Sequence, residues 1–300
     1  MGQTQNKIIS ASRRTDIPGW YTPWFLEQIQ QGYFTIKNPY NKRVKKVNAL
    51  PREIHSIVFW SKNFGPFLEL QADRILVKKG YNLYFNFTIN STSSLLEPGL
   101  PKLETRINQA RLLCRRLGPD KISWRFDPIC FYRQNNQQIE NNMNDFTMIA
   151  NAMSEMGISR CVTSFYDDYK KIQTRLKRLS LQNKPNHFFV EPKIENKQKL
   201  VQQMADYLET KNIQLFLCSE ASLFTNRGLF SRIEENSCID GRLLKKLYGG
   251  NPETRKDYGQ RSKQGCRCTK SIDIGSYEDH PCFHNCLFCY ARTGADIQKH

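Results

Sequence analysis

The sequence predicts an α/β protein in which strands and helices alternate to build a parallel sheet. Six short runs rich in β-forming residues are separated by helical patterns along the chain, and this alternation is typical of parallel sheets. The runs are continuously apolar, which indicates that both faces of the sheet are covered. A partial, TIM-like (β/α)6 barrel is the simplest architecture with these properties.

The predicted elements divide the chain into two parts. Strands are predicted at residues 7–11, 54–60, 81–89, 121–126, 160–164 and 213–218. Helices are predicted near 21–31, 66–72, 102–117, 140–156, 168–181, 197–210 and 237–249. We expect residues 1–235 to form the partial barrel and 236–300 a cysteine-rich, iron-sulfur-binding segment packed on it, the two forming one integrated domain.

Three cysteines near the end of the chain have the spacing that binds three corners of a cubane iron-sulfur cluster. Cys282, Cys286 and Cys289 form C-x3-C-x2-C, with Phe288 just before the last cysteine. Three thiolates leave one iron of a [4Fe-4S] cluster without a protein ligand, so a small molecule can bind there and be reduced. A zinc site is the alternative, although zinc sites favour paired C-x2-C units. His284, inside this loop, is expected either to be exposed or to line the cluster and hydrogen-bond a sulfur.

Four other cysteines suggest a second metal site. Cys266 and Cys268 are one residue apart, so both thiols can bind one metal, and Cys218 and Cys238 could complete a set of four. A second iron-sulfur cluster and a four-thiolate zinc are both compatible with this set. Free or redox-active thiols are the third interpretation.

The cysteine motif and four other segments together resemble a known family. These segments are SASRRTDIP at 10–18, VFWSKN at 58–63, WRFDPI at 124–129 and SIDIG at 271–275. From about Ile8 to Ala291 the chain resembles a bacterial family catalogued as domain of unknown function 1848, whose name implies no reaction.

The cysteine motif itself resembles that of radical S-adenosylmethionine (SAM) enzymes, which carry it near the N-terminus. This resemblance implies that SAM binds the free iron, that Phe288 packs near its adenine, and that reduction yields a 5′-deoxyadenosyl radical. A reducing partner such as ferredoxin or flavodoxin is implied as well.

Polar residues at the ends of the predicted strands are the candidates for the rest of the site, because ligands of such folds collect where parallel strands end. The Gly-Gly-Glu-like strand end that usually holds the SAM amino group is absent from this sequence. Charged strand-end residues are predicted to replace it and to be catalytic: Arg13, Asp16, Lys62, Arg125, Asp127 and Glu220. Arg14 and Asn63 are predicted to contact SAM.

The composition further limits the classes of function and partner that are compatible with the sequence. The formal net charge is +17, yet the basic residues are scattered, and most, including the group Arg175, Lys177 and Arg178, are expected on solvated helix faces. No apolar run approaches the roughly 20 residues that span a bilayer. Five of ten cysteines lie between 266 and 289 in a chain without a visible secretion signal, which favours metal over disulfides.

The sequence thus predicts a cytoplasmic iron-sulfur protein with radical SAM-like chemistry on an unidentified substrate and no membrane partner. Two alternatives remain open at this point. One is a non-catalytic iron-sulfur or zinc protein that senses redox state or carries electrons. The other is a nucleic-acid-binding or nucleic-acid-modifying protein, which is favoured by the net charge of +17 and by the resemblance of residues 282–291 to DNA-repair radical enzymes.

Overall fold

The computed structural model describes residues 6–38, 41–134, 138–181, 187–225, 233–235 and 237–296. The strands are β1 Lys7–Ala11, β2 Tyr33–Lys37, β3 Val44–Asn48, β4 Ile54–Ser61, β5 Leu83–Thr88, β6 Ile122–Ile129, β7 Phe131–Gln134, β8 Glu140–Asn141, β9 Arg160–Phe165, β10 His187–Phe189, β11 Gln214–Leu217, β12 Ile233–Glu235 and β13 Ile272–Asp273. The helices are α1 Ile17–Trp20, α2 Thr22–Gln31, α3 Gly65–Glu69, α4 Ala72–Lys78, α5 Leu103–Leu117, α6 Phe146–Glu155, α7 Lys170–Leu181, α8 Ile194–Glu209 and α9 Gly241–Tyr248.

A central sheet of eight strands has the order β12-β11-β9-β6-β5-β4-β1-β13. All of its neighbouring pairs are parallel, and the six predicted strands lie side by side in chain order. The predicted α/β class is therefore confirmed. The sheet is not closed into a barrel, because β12 and β13 form its two ends.

Some predicted elements have different bounds in the structure. The single helix predicted over 66–72 is two helices, α3 and α4, because Gln71 between them adopts a left-handed backbone conformation with φ 51°. The helix predicted over 140–156 begins at Phe146, since β8 pairs with β7 in a small antiparallel sheet. None of the helices within the described ranges is both long and apolar enough to cross a bilayer.

The core beside β4 and β5 is a cluster of phenylalanine rings. Phe59, Phe64, Phe67, Phe85 and Phe87 are all at most 1% exposed. Their ring centroids lie 4.7–6.0 Å apart, mostly edge to face, which is the preferred geometry of aromatic pairs. The cluster joins α3 to the centre of the sheet and so supports the strand ends above it.

The C-terminal segment completes one edge of the sheet through Asp273 of β13. Its carboxylate accepts hydrogen bonds from Ser10 Oγ at 2.9 Å, Ser12 Oγ at 2.8 Å and the Arg13 backbone N–H at 2.8 Å. A Cβ on Gly275 would lie 2.1 Å from Ser12 Oγ, so only glycine allows this close approach. The residues that follow β1 are therefore held in place from the other end of the chain.

We expect Phe85→Ala to lower the free energy of unfolding by about 3–5 kcal/mol, because it opens a cavity in the aromatic cluster. Urea denaturation monitored by circular dichroism measures this change. The matched control is Tyr258→Ala, whose ring is 75% exposed and whose loss should change the free energy of unfolding by less than about 0.5 kcal/mol. Equal effects of the two substitutions would contradict this account of the core.

Candidate functional site

A cavity of about 270 Å³ lies where the central parallel strands end. Residues following or ending β1, β4, β5, β6, β9 and β11 line it, together with the C-terminal segment. Its volume is close to the lower end of small-molecule sites, roughly 300 Å³. Seven of the ten cysteines line this one cavity: Cys218, Cys238, Cys266, Cys268, Cys282, Cys286 and Cys289.

The structure brings most of the predicted site residues together and places three elsewhere. Those that line the cavity are Arg13, Asp16, Lys62, Arg125, Asp127 and Phe288. Arg14 instead donates to the Gly275 carbonyl at 3.0 Å. The Asn63 side chain accepts a hydrogen bond in the first turn of α3. Glu220 accepts from the Phe165 N–H at 2.8 Å, and burial raises the pKa of its carboxyl to about 7.

The Asp16 carboxylate connects three parts of the chain. Its Oδ1 accepts from the Gly19 N–H at 2.8 Å, which begins α1. Its Oδ2 accepts from Ser61 Oγ and the Lys62 N–H at the end of β4, and contacts His284 Nε2, each at 2.9 Å. One buried carboxylate thus holds α1, β4 and the cysteine loop against each other.

His284 is buried and lines the cavity, so the expectation of an exposed side chain is wrong. Its ring is bound on both sides, by the Asp16 carboxylate at Nε2 and by the Gly99 carbonyl at Nδ1, at 3.2 Å. A Cβ on Gly99 would lie 2.7 Å from the His284 carbonyl oxygen. The loop can pass this closely only because residue 99 is glycine.

Arg175 of α7 holds the backbone of the cysteine loop by hydrogen bonds. Its guanidinium donates to the carbonyls of Cys286 at 3.2 Å, Cys289 at 2.7 Å and Ala291 at 3.1 Å, and pairs with Asp296 at 2.9 Å. The side chain is only 4% exposed, so its assignment to a solvated helix face is wrong. Sequence reasoning missed it because its partners are backbone carbonyls, which leave no pattern in the sequence.

Burial dominates the three cysteines of the C-x3-C-x2-C motif. It raises the pKa values of Cys282, Cys286 and Cys289 above the usual range of a thiol. The charge of Lys62 opposes this effect at Cys286 and Cys289. A metal that binds here must therefore displace thiol protons.

Glu97 is a buried acid that was not among the predicted site residues. The prediction considered only residues at the ends of strands, whereas Glu97 lies well after β5, in the loop that leads to α5. It pairs with the Lys62 ammonium group, which lies 5.1 Å from the centre of the Phe288 ring. Burial lowers the pKa of Lys62, but Glu97, Cys286 and Asp127 together outweigh burial, so the pKa is raised. Glu97 Oε2 has no hydrogen-bond partner among the described residues. The length of the loop, at the functional edge of the sheet, is the signal that could have identified it.

The other four cysteines form a separate cluster on the cavity wall. The sulfur atoms of Cys218 and Cys238 are 3.2 Å apart. Cys268 hydrogen-bonds to both Cys238 and Cys266. The structure therefore brings together a set of thiols that is spread over 51 positions of the sequence, from 218 to 268.

Two arginines change the protonation of this cluster. Arg125 donates from Nη1 to Cys238 Sγ at 3.0 Å and from Nη2 to Asp127 at 2.7 Å. A hydrogen bond from Cys238, helped by Arg125, lowers the pKa of Cys218 to about 7 despite burial. Hydrogen bonds from neighbouring thiols, with the charge of Arg13, lower the pKa of Cys268. These two thiols therefore ionise more readily than those of the C-x3-C-x2-C motif.

Several buried polar atoms that border the cavity have no hydrogen-bond partner among the described residues. They are Arg13 Nη2, Thr15 Oγ1 and Trp60 Nε1. The guanidinium groups of Arg13 and Arg125 lie 5.8 and 5.3 Å from the centre of the Trp60 ring. Buried donors are normally satisfied, so these atoms suit a polar or anionic ligand. Within the described ranges, no three or more His, Cys, Asp or Glu side chains are already positioned to hold a metal ion.

Comparison with known proteins establishes the family. A family model described as "Domain of unknown function (DUF1848)" matches residues 8–291. The chain belongs to the DUF1848 family. This match confirms the predicted family, while radical SAM chemistry stays a prediction. No curated protein matches this DUF1848 chain.

Solved structures similar to this DUF1848 protein include two D-hydantoinases. One has 13% sequence identity and a TM-score of 0.29, covering 60% of this chain and 38% of the hydantoinase. The other, from Bacillus sp. AR9, has 12% sequence identity and a TM-score of 0.28, and the match covers 69% of this chain and 40% of the hydantoinase chain. The DUF1848 chain thus matches well under half of each enzyme. Similarity at this level carries no argument about function.

We expect Arg175→Met to loosen the cysteine loop, because four loop acceptors lose a charged donor. Hydrogen-deuterium exchange should become at least about tenfold faster in peptides covering residues 282–294, since one charged hydrogen bond alone contributes about 1.5–3 kcal/mol. Lys177→Met, at an exposed position of the same helix, is the matched control. Unchanged exchange in the Arg175 variant would refute its role in shaping the loop.

Proposed function

We propose that this DUF1848 protein binds a [4Fe-4S] cluster through Cys282, Cys286 and Cys289 and acts as a radical SAM-like enzyme. One observation carries the proposal: these three thiols line the same cavity as the charged strand-end residues. A reactive cluster requires an open iron site beside a pocket for a small molecule, and the cavity supplies the lining of such a pocket.

The cysteine loop fits a cluster in its chemistry. It offers three buried thiols, and Arg175 holds the loop backbone by charged hydrogen bonds. The Lys62 ammonium group near Cys286 and Cys289 favours their thiolate forms, which are the forms that bind iron. A one-electron donor such as ferredoxin or flavodoxin would reduce the bound cluster. The reduced cluster would then supply a 5′-deoxyadenosyl radical from SAM.

The cavity also offers groups for SAM. Arg13 Nη2 and Thr15 Oγ1 are buried donors with no partner among the described residues, so they are suited to the SAM carboxylate. Phe288 and Trp60 provide aromatic surface for the adenine. Asp16 is less available than the sequence suggested, because its oxygens already hold α1, β4 and His284. Asp127 also lines the cavity, where its carboxylate accepts hydrogen bonds from Arg125 and from Ser164 Oγ.

The arrangement of the sheet supports the same proposal. We interpret the six central strands, parallel and in chain order, as a partial (β/α) barrel that β13 of the C-terminal segment extends at one end. All ten cysteines are free, and a reducing compartment such as the cytoplasm would keep them so.

The decisive experiment is anaerobic reconstitution followed by a SAM-cleavage assay. Wild type should gain the spectrum of a [4Fe-4S] cluster and, with dithionite, convert SAM to 5′-deoxyadenosine. Cys286→Ala should lose at least about a hundredfold of this activity, since one iron loses its ligand. Cys114→Ala, on α5 away from the cavity, is the control and should keep it. A cluster without SAM cleavage would refute the enzyme and favour a non-catalytic redox protein.

A second candidate function, binding of nucleic acid, is favoured by a basic groove of about 580 Å³. Six basic side chains line it against two acidic ones: Arg14, Lys37, Lys42, Lys171, Arg178 and Arg292 against Glu278 and Asp296. Lys37 and Lys42 pair with Glu278, and Arg178 pairs with Asp296. Lys171 instead lies over the Tyr277 ring at 4.7 Å. A phosphate backbone in this groove would run close to the cysteine loop.

Binding of a fluorescent single-stranded DNA oligonucleotide at increasing salt tests this candidate. Wild type should lose affinity steeply between 50 and 200 mM salt, as expected when phosphate contacts release counterions. Lys171→Ala should weaken binding and reduce the slope of log affinity against log salt by about 0.7. Lys78→Ala, exposed on α4, should change neither. Absence of binding at low salt would eliminate this function.

A further inference from the structure

The cluster of Cys218, Cys238, Cys266 and Cys268 lies outside the proposed iron-sulfur site. Its thiols come from three places: the end of β11, the segment before α9, and the loop before β13. All four are at most 7% exposed. Buried cysteines are often merely small apolar residues, but four of them joined in a chain of contacts, Cys218 to Cys238 to Cys268 to Cys266, are not explained by packing alone.

The arginines around the cluster indicate that its sulfurs carry negative charge. Arg125 is 4% exposed, and it divides its guanidinium between the Asp127 carboxylate and the Cys238 sulfur. A neutral thiol is a weak acceptor for a buried cation, whereas a metal-bound thiolate carries charge. Arg13 adds a second positive charge close to Cys268. Two arginines beside a four-thiolate site can balance the net charge of −2 that a divalent metal leaves there.

The spacing of the sulfurs favours one metal ion over a cubane cluster. Around a tetrahedral zinc with Zn–S bonds of about 2.3 Å, the sulfurs lie about 3.8 Å apart. The sulfurs of Cys218 and Cys238 lie 3.2 Å apart, so small rotations of these side chains would admit a single ion. A cubane holds its cysteine sulfurs much farther apart, because four irons and four sulfides lie between them.

We propose that Cys218, Cys238, Cys266 and Cys268 bind one structural Zn²⁺ as a tetrahedral four-thiolate site. Binding displaces the thiol protons and leaves no open position for a substrate. The ion would fasten the loop at 266–268 to the end of β11 and keep Arg13 and Arg125 directed toward the cavity. The proposal uses none of the cysteines of the iron-sulfur motif and does not depend on that function.

Metal analysis of the full chain, expressed with zinc and purified without oxygen, tests the proposal. Wild type should contain about one zinc per chain. The triple variant Cys282→Ser/Cys286→Ser/Cys289→Ser should keep this zinc while losing any cluster iron. Cys266→Ser/Cys268→Ser should lose zinc at least about tenfold, and Cys114→Ser should keep it. The triple variant therefore separates failure of this site from failure of the iron-sulfur proposal.

X-ray absorption at the zinc edge covers the case in which the double variant does not fold. In the triple variant it should show four sulfur neighbours at about 2.3 Å. Nitrogen or oxygen neighbours, or a chain free of zinc, would overturn the proposal. Iron with sulfide in place of zinc in the triple variant would overturn it as well and would assign a second cluster to these cysteines.

Discussion

The rest of the site depends on the way the Asp16 carboxylate is shared. A buried carboxylate is costly unless hydrogen bonds surround it, and Asp16 meets this requirement by drawing Gly19, Ser61, Lys62 and His284 toward one point. Removal of any one partner would leave a buried charge less satisfied, so the contacts are expected to act together. The position of the cysteine loop over the sheet is therefore set by local electrostatics as well as by packing.

The cavity holds thiols in different electrostatic environments. Burial raises the pKa values of Cys282 and Cys286, whereas a hydrogen bond from Cys238 and the charge of Arg125 lower the pKa of Cys218. Within the four-cysteine cluster the effect is divided, because hydrogen bonds between the thiols raise the pKa values of Cys238 and Cys266. Thiolate character controls both metal affinity and reactivity. Cys218 would accordingly ionise and react with oxidants more readily than Cys282 and Cys286, although all three border the same space.

Local patterns in the sequence predicted the strands and identified the cysteine motif, because both depend on residues that are close together in the chain. They also predicted that charged strand-end residues such as Arg13 and Arg125 would meet, since all parallel strands end on one side of the sheet. Arg175, Glu97 and His284 escaped prediction. Each derives its role from partners far along the chain, and the spacing of residue types does not record such contacts.

The pairing of β1 with β13 has a consequence for how the protein is made. The two strands are the first and the last of the central sheet in the chain, and Ser10 lies opposite Asp273 in their register. During synthesis β1 therefore keeps an exposed edge until residues 272–273 have left the ribosome, and exposed strand edges invite incorrect pairing. The residues that cover this edge lie in the same segment as Cys282, Cys286 and Cys289, which are proposed to bind a cluster. Completion of the sheet and assembly of the cysteine loop over the cavity thus depend on synthesis of the same segment.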